Sequence, residues 1–322
     1  MRRRVTRITE CEHPASALLD TKTTQQVLGI INREDRKVAP AVGRVIPQVA
    51  RAVDLAVAAL AEGGRLVYLG AGTSGRLGML DAAECVPTFG TDRIVAVMAG
   101  APAAFAQPKE GVEDDPRQAA RDLRRIKLNR KDVLVGIAAS GRTPYTLGGL
   151  RYARRVGAKT VAITSNPRAP LRRLADVAIV PVVGPEVVAG STRLKSGTAQ
   201  KLVLNMLSTA TMVRLGRVFS HWMIHVQMIN EKLQKRGREI LVSVTGASPA
   251  GAARALEESG RNLPAAVLML RKGLSKEEAL RLLRRDENTA RALRAAWAGP
   301  AAAGHNSPRH ERGSEAAPRR IL

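Results

Sequence analysis

Hydrophobic residues in this chain follow two rhythms. Between positions 65 and 182, short apolar runs rich in β-branched residues (RLVYLG, RIVAVMAG, DVLVGIAA, KTVAITS and ADVAIVPV) alternate with longer segments of helical pattern. Short, almost wholly apolar runs bounded by turn residues are what strands buried on both faces look like, and the segments between them are long enough for crossover helices. The pattern predicts an α/β fold: a three-layer, doubly wound parallel sheet over about 53–218. In such a sheet, ligands bind outside the carboxyl ends of the strands.

Helical periodicity dominates the flanks. TQQVLGIINRED and VGRVIPQVARAVDLAVAALAEGG predict two N-terminal helices, the second closed by Gly63-Gly64, with 1–52 forming an N-terminal helical region. Beyond Ser191, RLKSGTAQKLVLNMLSTATMVRLGRV reads as one long helix and HWMIHVQMINEKLQKRG as a second, a connecting helix over 219–238. Three short amphipathic helices follow in GASPAGAARALEESG, LPAAVLMLRKG and LSKEEALRLLRRDEN, the first opening at Ser248-Pro249 and the third capped by Ser275. They predict a small three-helix domain over 239–298. The remainder, 299–322, is rich in Ala, Gly, Pro, Ser and charge without apolar periodicity and reads as a disordered tail.

Composition narrows the function classes. At 322 residues and 45% hydrophobic content the chain can bury a large core, and no apolar run is long enough for a membrane span or a secretory leader. A soluble cytoplasmic protein is the expectation, with no membrane partner. Cys11 and Cys85 are too few for a disulfide framework and belong to no CxxC pair. The net charge of +24 raises nucleic-acid binding. Its basic residues are nevertheless scattered along the chain and aromatics make up only 2%, so no specific nucleic-acid partner is expected, only weak polyanion binding at low salt. His221 and His225 are spaced i, i+4, but WMI between them lacks the glutamate of a zinc-protease helix, and no third ligand is evident. No G-x-S-x-G elbow is present, and nothing marks Lys195 or Lys201 as a Schiff-base former.

The candidate chemistry lies in two loops. Gly70, Gly72 and Gly75 satisfy G-x-G-x-x-G between a strand and a helix, yet the next strand ends in Ala99 and Gly100 where a dinucleotide site would place an acidic residue. Gly72, Thr73 and Ser74 instead offer hydroxyls and helix-start amides suited to a phosphate monoester. The run SGRTPY repeats the design after the third strand, with Ser140, Gly141, Arg142 and Thr143 ahead of a helix-starting proline. No triphosphate loop occurs, so a sugar phosphate fits better than a nucleotide.

The segments LGAGTSGRLGMLDAAE, EGVED, AASGRTPY, GPEVVAGSTRLKSGTAQKLVLN and INREDRKV resemble, in their arrangement along the chain, the signature segments of the N-acetylmuramic acid 6-phosphate etherases, in the sugar isomerase (SIS) domain superfamily. The resemblance runs from about Thr9 to about Ala296. It implies cleavage by water of the lactyl ether of N-acetylmuramic acid 6-phosphate, without metal or cofactor, giving N-acetylglucosamine 6-phosphate and D-lactate in cell-wall sugar recycling. It also implies a homodimer and a sugar pocket that includes Glu186, Ser191 and Lys195.

In the implied mechanism the sugar ring opens, a base removes the C2 proton, lactate leaves C3 with help from an acid, and water adds back. The resemblance makes Glu84 and Glu113 the two carboxylates. Read locally, Glu84 sits at the end of the helix that starts at the first loop, where the helix dipole and apolar neighbours disfavour ionisation and suit a general acid. Glu113 lies in an acidic run with Glu110, Asp114 and Asp115 that by itself reads as a solvated acidic surface, and the resemblance makes it the base, although Pro108 interrupts its helical lead-in. The division of labour between the two stays open, and Ser191 and Thr192 read equally well as helix N-caps. Two other functions share the phosphate loops: a non-catalytic sugar-phosphate sensor like the glucokinase regulatory protein, and an aldose-ketose isomerase.

Overall fold

A computed structural model describes residues 8–107, 111–286 and 288–297. The chain divides into two compact units, one ending at Gln227 and the other beginning at Met228. Pro108 and Glu110, with the tail from 299, lie outside the described residues.

The first unit is built on five parallel strands: β1 Leu66–Gly70, β2 Ile94–Met98, β3 Val133–Ile137, β4 Lys159–Ile163 and β5 Val177–Ile179, in the spatial order β2-β1-β3-β4-β5. Side chains alternate strictly between two cores. Leu66, Tyr68, Val133, Val135 and Ile137 enter one, and Val67, Leu69 and Leu134 enter the other. After α1 Thr24–Asp35, the first core is covered by α2 Val38–Gly43, α3 Ile46–Ala61, α4 Gly72–Phe89 and α8 Lys195–Arg214, which supply buried side chains to it. On the opposite face lie α6 Pro116–Arg125 and α7 Pro144–Arg155, while the short α5 Ala103–Ala106 follows β2 and touches α4. The three-layer parallel α/β architecture is therefore as the sequence predicts.

Two readings of the flanking helices need correction. The single helix expected up to Gly63 breaks between α2 and α3, where Val45 leaves helical geometry two residues before Pro47, whose ring cannot continue the preceding turn. The helix expected over 219–238 starts only at Glu231. Residues 219–227 instead turn back on the end of α4, the Gln227 amide donating to the Pro87 carbonyl at 3.0 Å. His221 and His225 therefore share no helix face. Burial and the neighbouring Arg217 push His225 down to about 4.

The second unit contains α9 Glu231–Thr245, α10 Pro249–Glu258, α11 Leu263–Lys272, α12 Lys276–Arg285 and α13 Thr289–Trp297. Side-chain caps from Asn230, Ser248, Asn262 and Ser275 start the first four. The expected three helices correspond to α10, α11 and α12. The sequence reading missed α13, whose Ala290, Leu293 and Ala296 are buried. No described helix is long and apolar enough to cross a membrane.

The contact between β1 and α4 sets where the first loop sits. A Cβ at Gly75 would stand 2.7 Å from Met98 Cγ and 2.8 Å from the Gly70 carbonyl oxygen. Gly75→Ala is expected to destabilise the protein by about 1–3 kcal/mol, read as a lower urea midpoint at unchanged slope.

Candidate active site at the sheet switch point

In the strand order 2-1-3-4-5 the winding direction reverses between β1 and β3, and the crevice outside their carboxyl ends is where such sheets bind ligands. The two hydroxyl-rich loops leave these two strands. Helices α4 and α7 begin there, at Gly72 and Pro144, and neither has a side-chain cap on its first amides. Capping is not missing nearby: Asp115 caps α6 and Glu186 caps α8. Uncapped amides of two helices at a switch point form an anion-binding arrangement.

The first loop faces the start of α8. Ser74 Oγ donates to Gln200 Oε1 at 3.0 Å, and the Thr73 methyl lies 3.6 Å from where a Gly197 side chain would begin. Gly72 has φ of +53° with open space around it, so backbone approaches a ligand there without a side chain in the way. In the second loop, Ser140 Oγ accepts from the Arg142 amide at 3.3 Å and the Ser140 carbonyl accepts from Asn166 Nδ2 at 3.1 Å. Gly141 adopts φ of +64° against Thr164, while Arg142 is exposed.

Four buried polar atoms at this end of the sheet have no hydrogen-bond partner among the described residues: Ser196 Oγ and Gln200 Nε2 on α8, Thr146 Oγ1 on α7, and Ser165 Oγ after β4. Buried polar groups in folded proteins are almost always paired, so these mark places where a ligand or water completes the site. The sequence reading did not single out any of them. Their one visible signal is that Ser196 and Gln200 stand one helical turn apart, on the face of α8 where Gln200 meets Ser74.

The two candidate carboxylates are placed differently. The Glu113 side chain is exposed, and its carbonyl accepts from the Tyr145 amide at 3.0 Å, which ties its segment to the second loop. In the same acidic run, Asp115 is occupied by the Arg117 amide and Arg121, which hold its carboxyl below the usual range. Glu84 does not sit in the last turn of α4, as read from the sequence. The helix continues through Pro87 to Phe89, and Glu84 is exposed. Ten residues separate Ser74 from Glu84 along α4, about 15 Å of helix rise away from the crevice. Within one chain, then, Glu113 stands with the phosphate loops and Glu84 does not.

Of Glu186, Ser191 and Lys195, expected in a sugar pocket, Glu186 and Lys195 are buried and Ser191 is half-buried. Glu186 is fully buried, and its two carboxylate oxygens accept from the Lys195 amide at 3.0 Å and the Ser196 amide at 2.9 Å. A remote carboxylate thus caps α8, and neither Ser191 nor Thr192 does so with its side chain. Lys195 is 1% exposed, with Nζ 2.7 Å from Glu34 Oε2. Lys37 and His13 also meet Glu34, the latter at 3.0 Å. Burial pulls the Glu34 carboxyl upward, but hydrogen bonds from Lys195 and Lys37, the Lys195 charge and the His13 contact outweigh it and hold it at about 2. Among the described residues no group of three or more His, Cys, Asp and Glu side chains stands together as a metal site.

Relatives place this geometry in a family. The chain is 53% identical over 280 residues, 86% of its length and 93% of the relative's, to the N-acetylmuramic acid 6-phosphate etherase of Edwardsiella ictaluri. It is 51% identical to that of Pectobacterium atrosepticum, over 85% of this chain and 91% of the relative. The chain belongs to the N-acetylmuramic acid 6-phosphate etherase family. Within it, residues 48–154 match the glucokinase regulatory protein N-terminal SIS domain model and residues 117–210 the SIS domain model. Among solved structures, a phosphoheptose isomerase from Francisella tularensis is similar over 60% of this chain and 100% of its own, with 17% identity and a TM-score of 0.46. In this etherase-family chain, both signature segments INREDRKV and GSTRLKSGTAQK feed the Glu34–Lys195 pair.

Removing one partner from a buried ion pair leaves the other charge without compensation. Lys195→Met is expected to cost about 3–5 kcal/mol in denaturant unfolding. Because the Glu34 carboxyl is depressed from 4.5 to about 2, its stabilisation is complete above about pH 4.5 and is lost as the pH falls towards 2. The stability advantage of wild type over Glu34→Gln should shrink across that interval.

Proposed function

We propose that this protein cleaves the D-lactyl ether of N-acetylmuramic acid 6-phosphate with water, releasing D-lactate and N-acetylglucosamine 6-phosphate, as a carbon-oxygen lyase of cell-wall sugar recycling. The observation that carries the proposal is the pairing of near-full-length identity to etherases with two uncapped helix starts at the switch point. In this reading the phosphate lies against the amides and hydroxyls of Gly72, Thr73, Ser74, Ser140, Gly141 and Thr143, with Arg142 at the rim. Ser196 and Gln200 take sugar polar groups.

Chemistry then needs two proton-transfer groups. Opening of the ring makes C2 acidic, Glu113 beside the second loop removes its proton, and the C3–O bond breaks as a second acid protonates the departing lactate. Water adds to the unsaturated aldehyde by the reverse proton transfers. The second acid is Glu84. A six-carbon sugar held by its phosphate at Ser74 does not span the 15 Å or so to Glu84 of the same chain, which supports a homodimer in which each Glu84 completes the partner's site. A cytoplasmic location accords with recycling of an imported sugar phosphate.

D-lactate release from N-acetylmuramic acid 6-phosphate, measured with chelator present, tests the reading. Glu84→Gln and Glu113→Gln are each expected to lower turnover by about 10²- to 10⁴-fold. Mixed before refolding, Glu84→Gln and a Ser74→Ala/Ser140→Ala chain should regain about a quarter of wild-type activity, since half the dimers carry one complete site of two. The match of residues 48–154 to the regulatory-protein domain favours one second reading, a non-catalytic sensor. Wild-type protein that binds the sugar phosphate and releases no lactate would establish that reading.

A further inference from the structure

Arginines that are scattered in the sequence assemble in the fold. Arg117, Arg121 and Arg124 on α6 and Arg151 and Arg155 on α7 line one open groove of 430 Å³ on the outer face of the first unit, floored by Pro116, Ala120, Gly148 and Tyr152. All five arginines are exposed. The spacing is helical: steps of three or four residues put 117, 121 and 124 on one stripe of α6, and 151 and 155 on one stripe of α7. Of the five, only Arg121 has a carboxylate partner among the described residues, Asp115 at 2.6 Å. Asp122 on α6 is taken by Tyr145, Gln118 and Arg125, and the exposed Glu113 and Asp114 precede the helix and do not line the groove. Such a concentration of like charge, of which one arginine is paired with a carboxylate among the described residues, favours an anionic occupant.

We propose that this groove binds single-stranded nucleic acid by its phosphate backbone, independently of sequence. A concave strip flanked by two charged rows fits a linear polyanion. A membrane surface fits less well, because none of the large apolar side chains exposed among the described residues lies on α6 or α7 to enter a bilayer. A second copy of the chain would bring like charge against like charge. Base stacking is not available in the groove: Tyr152 is 9% exposed, with Arg124 and Arg155 at 5.6 and 5.3 Å from its ring centroid. Recognition therefore rests on phosphates, and the affinity falls with salt.

The test is fluorescence anisotropy of a labelled oligothymidylate of about 20 nucleotides with the full-length protein. Four phosphate contacts give a slope of about −3 for log affinity against log salt. The variant Arg117→Gln/Arg124→Gln/Arg151→Gln/Arg155→Gln should lose more than tenfold in affinity at about 50 mM salt, and the matching four-lysine variant should stay within about threefold of wild type. A control with the same charge loss on the second unit, Arg238→Gln/Arg281→Gln/Arg284→Gln/Arg285→Gln, should also stay within about threefold. Equal losses in the groove and control variants would reduce the effect to net charge and overturn the proposal. So would no binding by wild type, or groove-dependent binding to anionic lipid vesicles in preference to the oligonucleotide.

Discussion

The closeness of β1 and α4 governs the working end of this molecule. The chain leaves the sheet at Gly70 and is helical by Gly72, and the helix packs so tightly on the strand that Gly75 has no room for a side chain between Met98 and the Gly70 carbonyl. That constraint aims the first amides of α4 into the crevice. The turn after β3 does the same for α7, and because β1 and β3 are neighbours on either side of the winding reversal, the two helix starts converge. A crevice suited to an anion is thus a consequence of topology before any particular side chain is considered.

The third helix at this end is handled in the opposite way. α8 begins beside Thr73 and Ser74, but its leading amides are spent on Glu186, and the lysine that opens it is drawn inward to Glu34. Burying both charges has a desolvation cost that only tight geometry offsets. What the arrangement achieves is position: the N-terminal segment through His13, the end of α1 through Glu34 and the start of α8 through Lys195 are fixed at one point. Ser196 and Gln200, one and five residues along α8, are held in place by it. The signature segments at residues 31–38 and 184–205 thus meet in this anchor, which holds Ser196 and Gln200 at the crevice.

Much of the fold is legible in the sequence for a simple reason. Strands buried on both faces must be apolar throughout, so all five runs stand out, as do the glycines of the two loops. What depends on distant partners does not stand out. Nothing near Lys195 announces a glutamate 161 residues away, and Ser191 and Thr192 look like caps because the carboxylate that does the capping arrives from another turn. The apolar pattern of residues 219–227 mimics a helix because these residues pack on the end of α4 as a compact turn. The place of Glu84 in α4 is hidden for a related reason: Pro87 suggests a helix end, yet it is accommodated and α4 runs on to Phe89.

The arginines show the same limit from the other side. Counted along the chain they are evenly spread, and an even spread suggests a featureless basic surface. Helical periodicity and the pairing of α6 with α7 gather five of them, while the carboxylates interspersed among them are consumed in capping and internal bonds: Asp115 on the α6 amide and Arg121, Asp122 on Tyr145 and Gln118. The face is basic because local structure uses up its acids, not merely because the chain has many bases. The same economy operates at the crevice, where Glu186 and Asp115 are consumed by α8 and α6 and the amides of α4 and α7 are left open. In both places the available charge follows from which helix starts the fold chooses to cap.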